Sequence, residues 1–176
     1  DLNRDAFMSI SNAEKYYGAV ILRVLERLGG VIPRASFSIT KGDSQSSFAV
    51  HGLDASLLGK GTKCSTGLFI KLSYKRRSPW RYNFDETHQN EIEKLKKQYG
   101  EVFIAFVAED DGIACINFNQ LKLILDHNHE EQEWVSVTRK LHQNYRVSGN
   151  DGEHEWPLPK NNFPQAILDY FVRELG

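Results

Sequence analysis

The chain has 176 residues, 40% hydrophobic and 26% charged, which is one ordinary domain's worth with enough apolar material for a core and excludes a disordered chain. Lys and Arg number 22 against 23 Asp and Glu, a formal net charge of −1. That balance excludes a globally basic nucleic-acid binder but leaves room for a local basic stripe.

The first element is a helix. Tyr17, Val20, Ile21, Val24, Leu25 and Leu28 recur at helical spacing, and Gly29-Gly30 closes the run. Ser11 followed three residues later by Glu14 reads as a capping box at its start. Strands are predicted over 36–40 and 47–53, joined by a turn at Lys41-Gly42-Asp43. Residues 55–67 read as a loop. A third strand covers 67–75, with Leu68, Ile70, Leu72 and Tyr74 on one face and Phe69, Lys71, Ser73 and Lys75 on the other. Ser78-Pro79 breaks it.

A second helix runs from about Glu86 to Tyr99, with His88, Ile92, Leu95 and Tyr99 inward and Gly100 at its end. The apolar run 102–107 suits a central strand covered on both faces. Asp110-Asp111-Gly112 turns the chain into a neighbouring strand over 113–116, and a third helix is predicted over 118–125. The acidic, His-containing stretch 126–133 reads as an exposed connection. Strands over 134–137 and 145–147 follow, then a turn at Asn150-Asp151-Gly152. Asn162 is expected to cap a closing helix with Pro164 in its first turn; Ile167, Leu168, Phe171, Val172 and Leu175 form its apolar face.

This order predicts an α/β (α+β) fold, a central mixed sheet flanked by helices. The core occupies 1–126, and a C-terminal β-rich extension with a closing helix, 134–176, packs on the same domain. No apolar run approaches the roughly 18 residues of a membrane span. No segment has the order of a signal peptide. The expectation is a cytoplasmic protein with no membrane partner. Cys64 and Cys115 form no CxxC pair and read as reduced structural thiols.

A strand carrying Lys71 ahead of the 86–99 helix, followed by a central apolar strand and a hairpin, resembles the core of the PD-(D/E)XK nuclease superfamily, with its restriction-endonuclease-like and resolvase-like members. The likeness spans about 14–125 and is topological more than motif-based. It implies two carboxylates on Mg²⁺ and a lysine that positions the attacking water. On that resemblance Lys71 matches the lysine and Asp54 the first acid, with Asp43 the second choice. Glu14 matches the acid of the first helix and a second metal ligand, and Gln89 the polar residue that opens the next helix. Phe69 stands two residues before Lys71, where the family places Asp or Glu. Each residue also has a plainer reading: Glu14 a cap, Asp54 a turn residue, Lys71 a snorkelling lysine, Gln89 helix surface. By analogy with the family, a homodimer is expected.

The most distinctive local feature is 71–84, KLSYKRRSPWRYNF, which holds Lys71, Lys75, Arg76, Arg77 and Arg81 and no acid. Cations attract phosphates and interleaved aromatics stack bases, so Lys75, Arg76, Arg77, Trp80 and Arg81 are candidate contacts to DNA or RNA. Arg139, Lys140 and Arg146 extend that surface if the C-terminal strands fold back onto it. Three functions compete: a Mg²⁺-dependent endonuclease, a catalytically inactive nucleic-acid-binding module, and a protein-interaction module meeting an acidic partner. His127, His129, Glu130 and Glu131 match no zinc spacing. Gly59-Lys60-Gly61-Thr62 lacks the phosphate-loop order, and no GxSxG elbow is present.

Overall fold

Ser11 starts the first helix as its motif demands: its hydroxyl accepts from the Glu14 amide while the Glu14 carboxylate accepts from the Ser11 amide. This helix, α1 (Asn12–Val31), buries Val20, Val24 and Leu28 and continues through Gly29-Gly30 rather than stopping there. A computed structural model describes residues 9–55, 61–128 and 132–175, and among them four helices and nine strands make a mixed α/β fold.

The strands form two sheets. Sheet one joins β1 (Ala35–Lys41), β2 (Ser47–Asp54), β3 (Thr62–Ser73), β5 (Val102–Ala108) and β6 (Gly112–Asn117), in the order β1-β2-β3-β5-β6. Its strands are antiparallel except for the β3–β5 pair, which is parallel and bridged by α2 (Glu86–Tyr99). Sheet two is antiparallel and joins β4 (Trp80–Phe84), β7 (Glu133–Thr138), β8 (Arg146–Gly149) and β9 (Gly152–Glu153).

Three layers result. Leu68, Ile70, Phe103 and Ala105 face α1 and α4 (Asn162–Leu175), while Phe69, Ile104 and Phe106 face α2 and the inner side of sheet two. β5 is buried along its whole length, as an apolar run between two layers must be.

Several boundaries differ from expectation. β3 starts at Thr62, inside the predicted loop, because β2 extends its pairing to Asp54↔Thr62; residues 56–60 lie outside the described residues. β4 replaces what reads as a basic connection. Trp80, Tyr82 and Phe84 alternate inward from Arg81 and Asn83, and their partner β7 lies about fifty residues downstream. The two sequence segments therefore interleave: a strand from 1–126 opens the sheet that 134–153 completes, and α4 crosses back to cover sheet one.

The third helix, α3 (Phe118–Leu121), is a single capped turn rather than eight residues, although Ile124 and Leu125 beyond it are still buried. Asn162 spends its Oδ1 on the Cys115 amide at 3.1 Å, and Phe163 is extended, so regular helix begins after Pro164; Val172 turns outward, 44% exposed. Cys64 and Cys115 are free thiols, the second wholly buried, and burial raises the pKa of both.

Asp111, read as a turn residue, is a joint between the sheets. The Arg139 guanidinium binds both its carboxylate oxygens, and the Tyr145 hydroxyl donates to Oδ2 at 2.6 Å. Gly112 must be glycine: φ is +148°, and a Cβ would stand 2.6 Å from the Tyr145 hydroxyl. Among the described residues no helix is long and apolar enough to cross a membrane.

Candidate functional site

The residues expected to assemble a nuclease centre do not meet. Asp54 pairs with Thr62, at the far end of the β2–β3 ladder. Lys71 lies nine residues further along β3, about 30 Å at ~3.3 Å per residue. The faces differ as well. Even-numbered β3 residues join the α1/α4 layer, with Asp54 on that side, and Lys71 projects to the α2 layer. Asp54 is wholly buried and ion-paired to Arg34, Nε to Oδ2 at 2.5 Å, while Arg34 also donates to the Leu175 carbonyl at 3.0 Å. Its chemistry is to pin β1, β2 and the end of α4 together.

Glu14 is a cap. It sits on the α1 side of sheet one, opposite Lys71, and its bonds to the Ser11 amide and hydroxyl hold its carboxyl below the usual range. Asp43 occupies the turn at the Lys71 end of β2, but it faces Lys94 at 3.3 Å and both side chains are largely exposed. As a metal-binding pair for Lys71 chemistry, Asp54 and Glu14 are therefore ruled out by strand register and by the sheet between them.

Lys71 sits in a different environment. Its amine donates to the Asn83 carbonyl at 2.6 Å, lies 3.4 Å from His88 Nδ1 and stands 4.9 Å from the centre of the Phe84 ring. Burial pulls its pKa down to about 8, and the Asp85 carboxylate opposes the shift. His88 closes the capping box of α2 with Asp85; burial and the Lys71 charge lower its pKa, so the imidazole is neutral at pH 7.

The basic segment divides into exposed cations and buried aromatics. Lys75, Arg76, Arg77 and Arg81 are exposed, and Tyr74 is 52% exposed beside Tyr16. Trp80 is not available for stacking. It is 2% exposed, and its indole donates to the Lys75 carbonyl at 2.7 Å, so period-two burial in β4 takes the ring inside. Sheet two offers Trp134 instead, half-buried on its outer side, with the Arg81 guanidinium 4.8 Å above its ring. The Arg139 amide donates to Ser78 Oγ at 3.0 Å, so the 139–140 segment lies against the basic loop. The Arg139 charge is spent on Asp111, which leaves Lys140 as the exposed cation there.

At the other end of sheet two, Asp126, Glu133 and Asp151 each bring a carboxylate oxygen within 4.8 Å of the others, a group that can hold a metal ion. The β8–β9 turn is pressed against the chain after α3: Asp151 N donates to the Ile124 carbonyl at 3.0 Å, and a Cβ at Gly149 would overlap that carbonyl at 2.3 Å. Glu133, in the stretch expected to be exposed, begins β7 and is buried. Its pKa is raised, first by burial and then by Asp151, with Asp126 adding to the effect and Gln89 opposing it.

Gln89 points inward from the first turns of α2 instead of lining its surface. It is 2% exposed and lies against Glu133, yet neither its amide nitrogen nor its oxygen completes a hydrogen bond. The sequence offered Asp126 and Glu133 seven residues apart, but nothing local announced Asp151 or the inward turn of Gln89. His129, Glu130 and Glu131 lie outside the described residues. A scan against protein-family models, a search of curated proteins and a search of solved structures each return no match.

Proposed function

We propose that the protein binds DNA or RNA through the cationic end of sheet two. The observation that carries this reading is the arm between β3 and β4. Arg76 and Arg77 are exposed there and make no ion pair with any described residue, in a chain whose net charge is −1. Lys75 and Lys140 flank them, and Arg81 stacked on Trp134 adds a flat π surface on the same sheet. Phosphates would meet the arm, and bases would meet Trp134. The Arg81–Trp134 stack favours nucleic acid over an acidic protein surface, which needs charge but no stacking platform.

With β4 set aside in sheet two, the order α1-β1-β2-β3-α2-β5, with α1 and α2 on opposite faces of sheet one, supports a nuclease-like scaffold for this role. Hydrolysis through Asp54 and Lys71 is not part of the proposal, since about 30 Å and a sheet separate them. A divalent cation, Mg²⁺ included, belongs in this reading at Asp126, Glu133 and Asp151, not at Asp54 and Glu14.

The test is fluorescence anisotropy with labelled single-stranded DNA, duplex DNA and RNA across a salt series. Binding should weaken linearly in log–log form. Arg76→Glu with Arg77→Glu should lower affinity at least tenfold and reduce the salt slope by about 1–2. Trp134→Ala should weaken single-strand binding by about 1–2 kcal/mol at constant slope. An unchanged affinity in the double arginine variant would remove this surface, and absence of salt-sensitive binding would point to an acidic protein partner.

A further inference from the structure

We propose that Asp126, Glu133 and Asp151, with the buried Gln89 amide oxygen as a fourth and neutral donor, form a Ca²⁺ site. The ion would tie the end of sheet two to α2 and to the chain after α3. The acidic group alone does not carry this; Gln89 does. A side chain that is 2% exposed, lies against Glu133 and leaves both amide atoms without hydrogen bonds is costly unless something completes it. Glu133 Oε2 is buried and unpartnered as well. The orphaned Gln89 Nε2 can answer only one of these two acceptors, and two more carboxylates stand beside them; a cation answers them together.

Each aspartate is held by a backbone amide: Asp126 Oδ1 accepts from the Asn128 amide at 2.6 Å and Asp151 Oδ2 from the Asp126 amide at 3.0 Å. All four donors are oxygen, which selects hard cations over Zn²⁺ or Cu²⁺. The kind of donor then chooses among them. Mg²⁺ holds most of its water and takes one or two carboxylates, whereas three carboxylates with an amide oxygen make a set of the Ca²⁺ kind. Three carboxylates against two positive charges also resolve most of the like-charge crowding.

The measurement is calorimetric titration of the EDTA-treated chain with CaCl₂, beside Tb³⁺ luminescence sensitised through Trp134, the residue next to Glu133. A single site is expected, with Kd roughly 10⁻⁶–10⁻³ M, Tb³⁺ emission displaced by Ca²⁺, and Tm raised by roughly 5–10 °C at hundredfold excess over Kd. Asp126→Asn and Asp151→Asn, exposed and isosteric, should each weaken Ca²⁺ at least tenfold.

Gln89→Leu separates a ligand from a mere packing residue. It should weaken Ca²⁺ about tenfold while raising the Tm of the metal-free chain, because it removes an unsatisfied buried amide. No saturable Ca²⁺ binding up to about 10 mM, at the weak limit of known Ca²⁺ sites, would overturn the proposal. So would wild-type affinity in Asp151→Asn, a Mg²⁺ affinity exceeding that for Ca²⁺, or a Gln89→Leu chain that is less stable and binds normally. None of these readouts involves nucleic acid, so they stand or fall apart from the function proposed above.

Discussion

Asp54 and Glu133 are both carboxylates inside the protein, and their surroundings are opposite in kind. Asp54 has a guanidinium at 2.5 Å that also holds a helix-end carbonyl. Glu133 faces two other acids and an amide that completes no bond. A buried charge answered by an opposite charge is structural, since removing one partner strands the other. A buried carboxylate surrounded by its own sign is answered either by a proton, the direction in which its raised pKa leans, or by the cation proposed above. Burial is thus shared by a strut and a site; what separates them is whether the protein supplies the counter-charge.

The widest separation between the two should come from Arg34→Ala. It takes from the buried Asp54 a charge-assisted hydrogen bond at 2.5 Å, and about 1.5–3 kcal/mol of stability should disappear in urea unfolding. Asp54→Asn should cost less, because Arg34 is 51% exposed on its side chain and water can take over its charge. If Arg34→Ala costs under about 1 kcal/mol, the strut is misassigned. Glu133→Gln should act with the opposite sign. In EDTA it should raise stability by about 1 kcal/mol, since it relieves repulsion from Asp126 and Asp151. A destabilised Glu133→Gln chain would erase the contrast.

What sequence could supply follows the range of each interaction. The Ser11–Glu14 box spans three residues and could be read directly; the 102–107 strand announced itself by continuous apolarity. β4 was hidden because Pro79 and the arginines dominate the reading of 71–84. The W-R-Y-N-F alternation within it is a period-two strand signal, but its partner is β7, far along the chain. Pairing Asp54 with Lys71 failed for a related reason. The strands that carry or adjoin both residues are legible, but the register that places them at opposite ends is a property of the whole ladder. The acidic group shows the same limit: Asp151 reaches Asp126 only because the β8–β9 turn docks on the Ile124 carbonyl.

Lys71 provides the smallest and sharpest probe, because it is a third kind of inward-facing charge. It is satisfied by a carbonyl and a ring face rather than by a carboxylate in contact. Its pKa of about 8 lies below the ordinary lysine value, so between about pH 8 and 10 the unfolded chain holds a proton that the folded protein has released. Raising the pH through that window therefore favours the folded state, and below it the folded protein carries the full cost of a charged amine. Lys71→Met keeps the stem and removes the charge. It should raise stability at pH 7 by about 0.5–1 kcal/mol and abolish this group's share of the rise between pH 8 and 10. The check is urea midpoints for both chains at pH 7, 8, 9 and 10. Parallel curves would mean that the amine is charged and solvated throughout, and that the inner face of β3 is more open than the Asn83 contact implies.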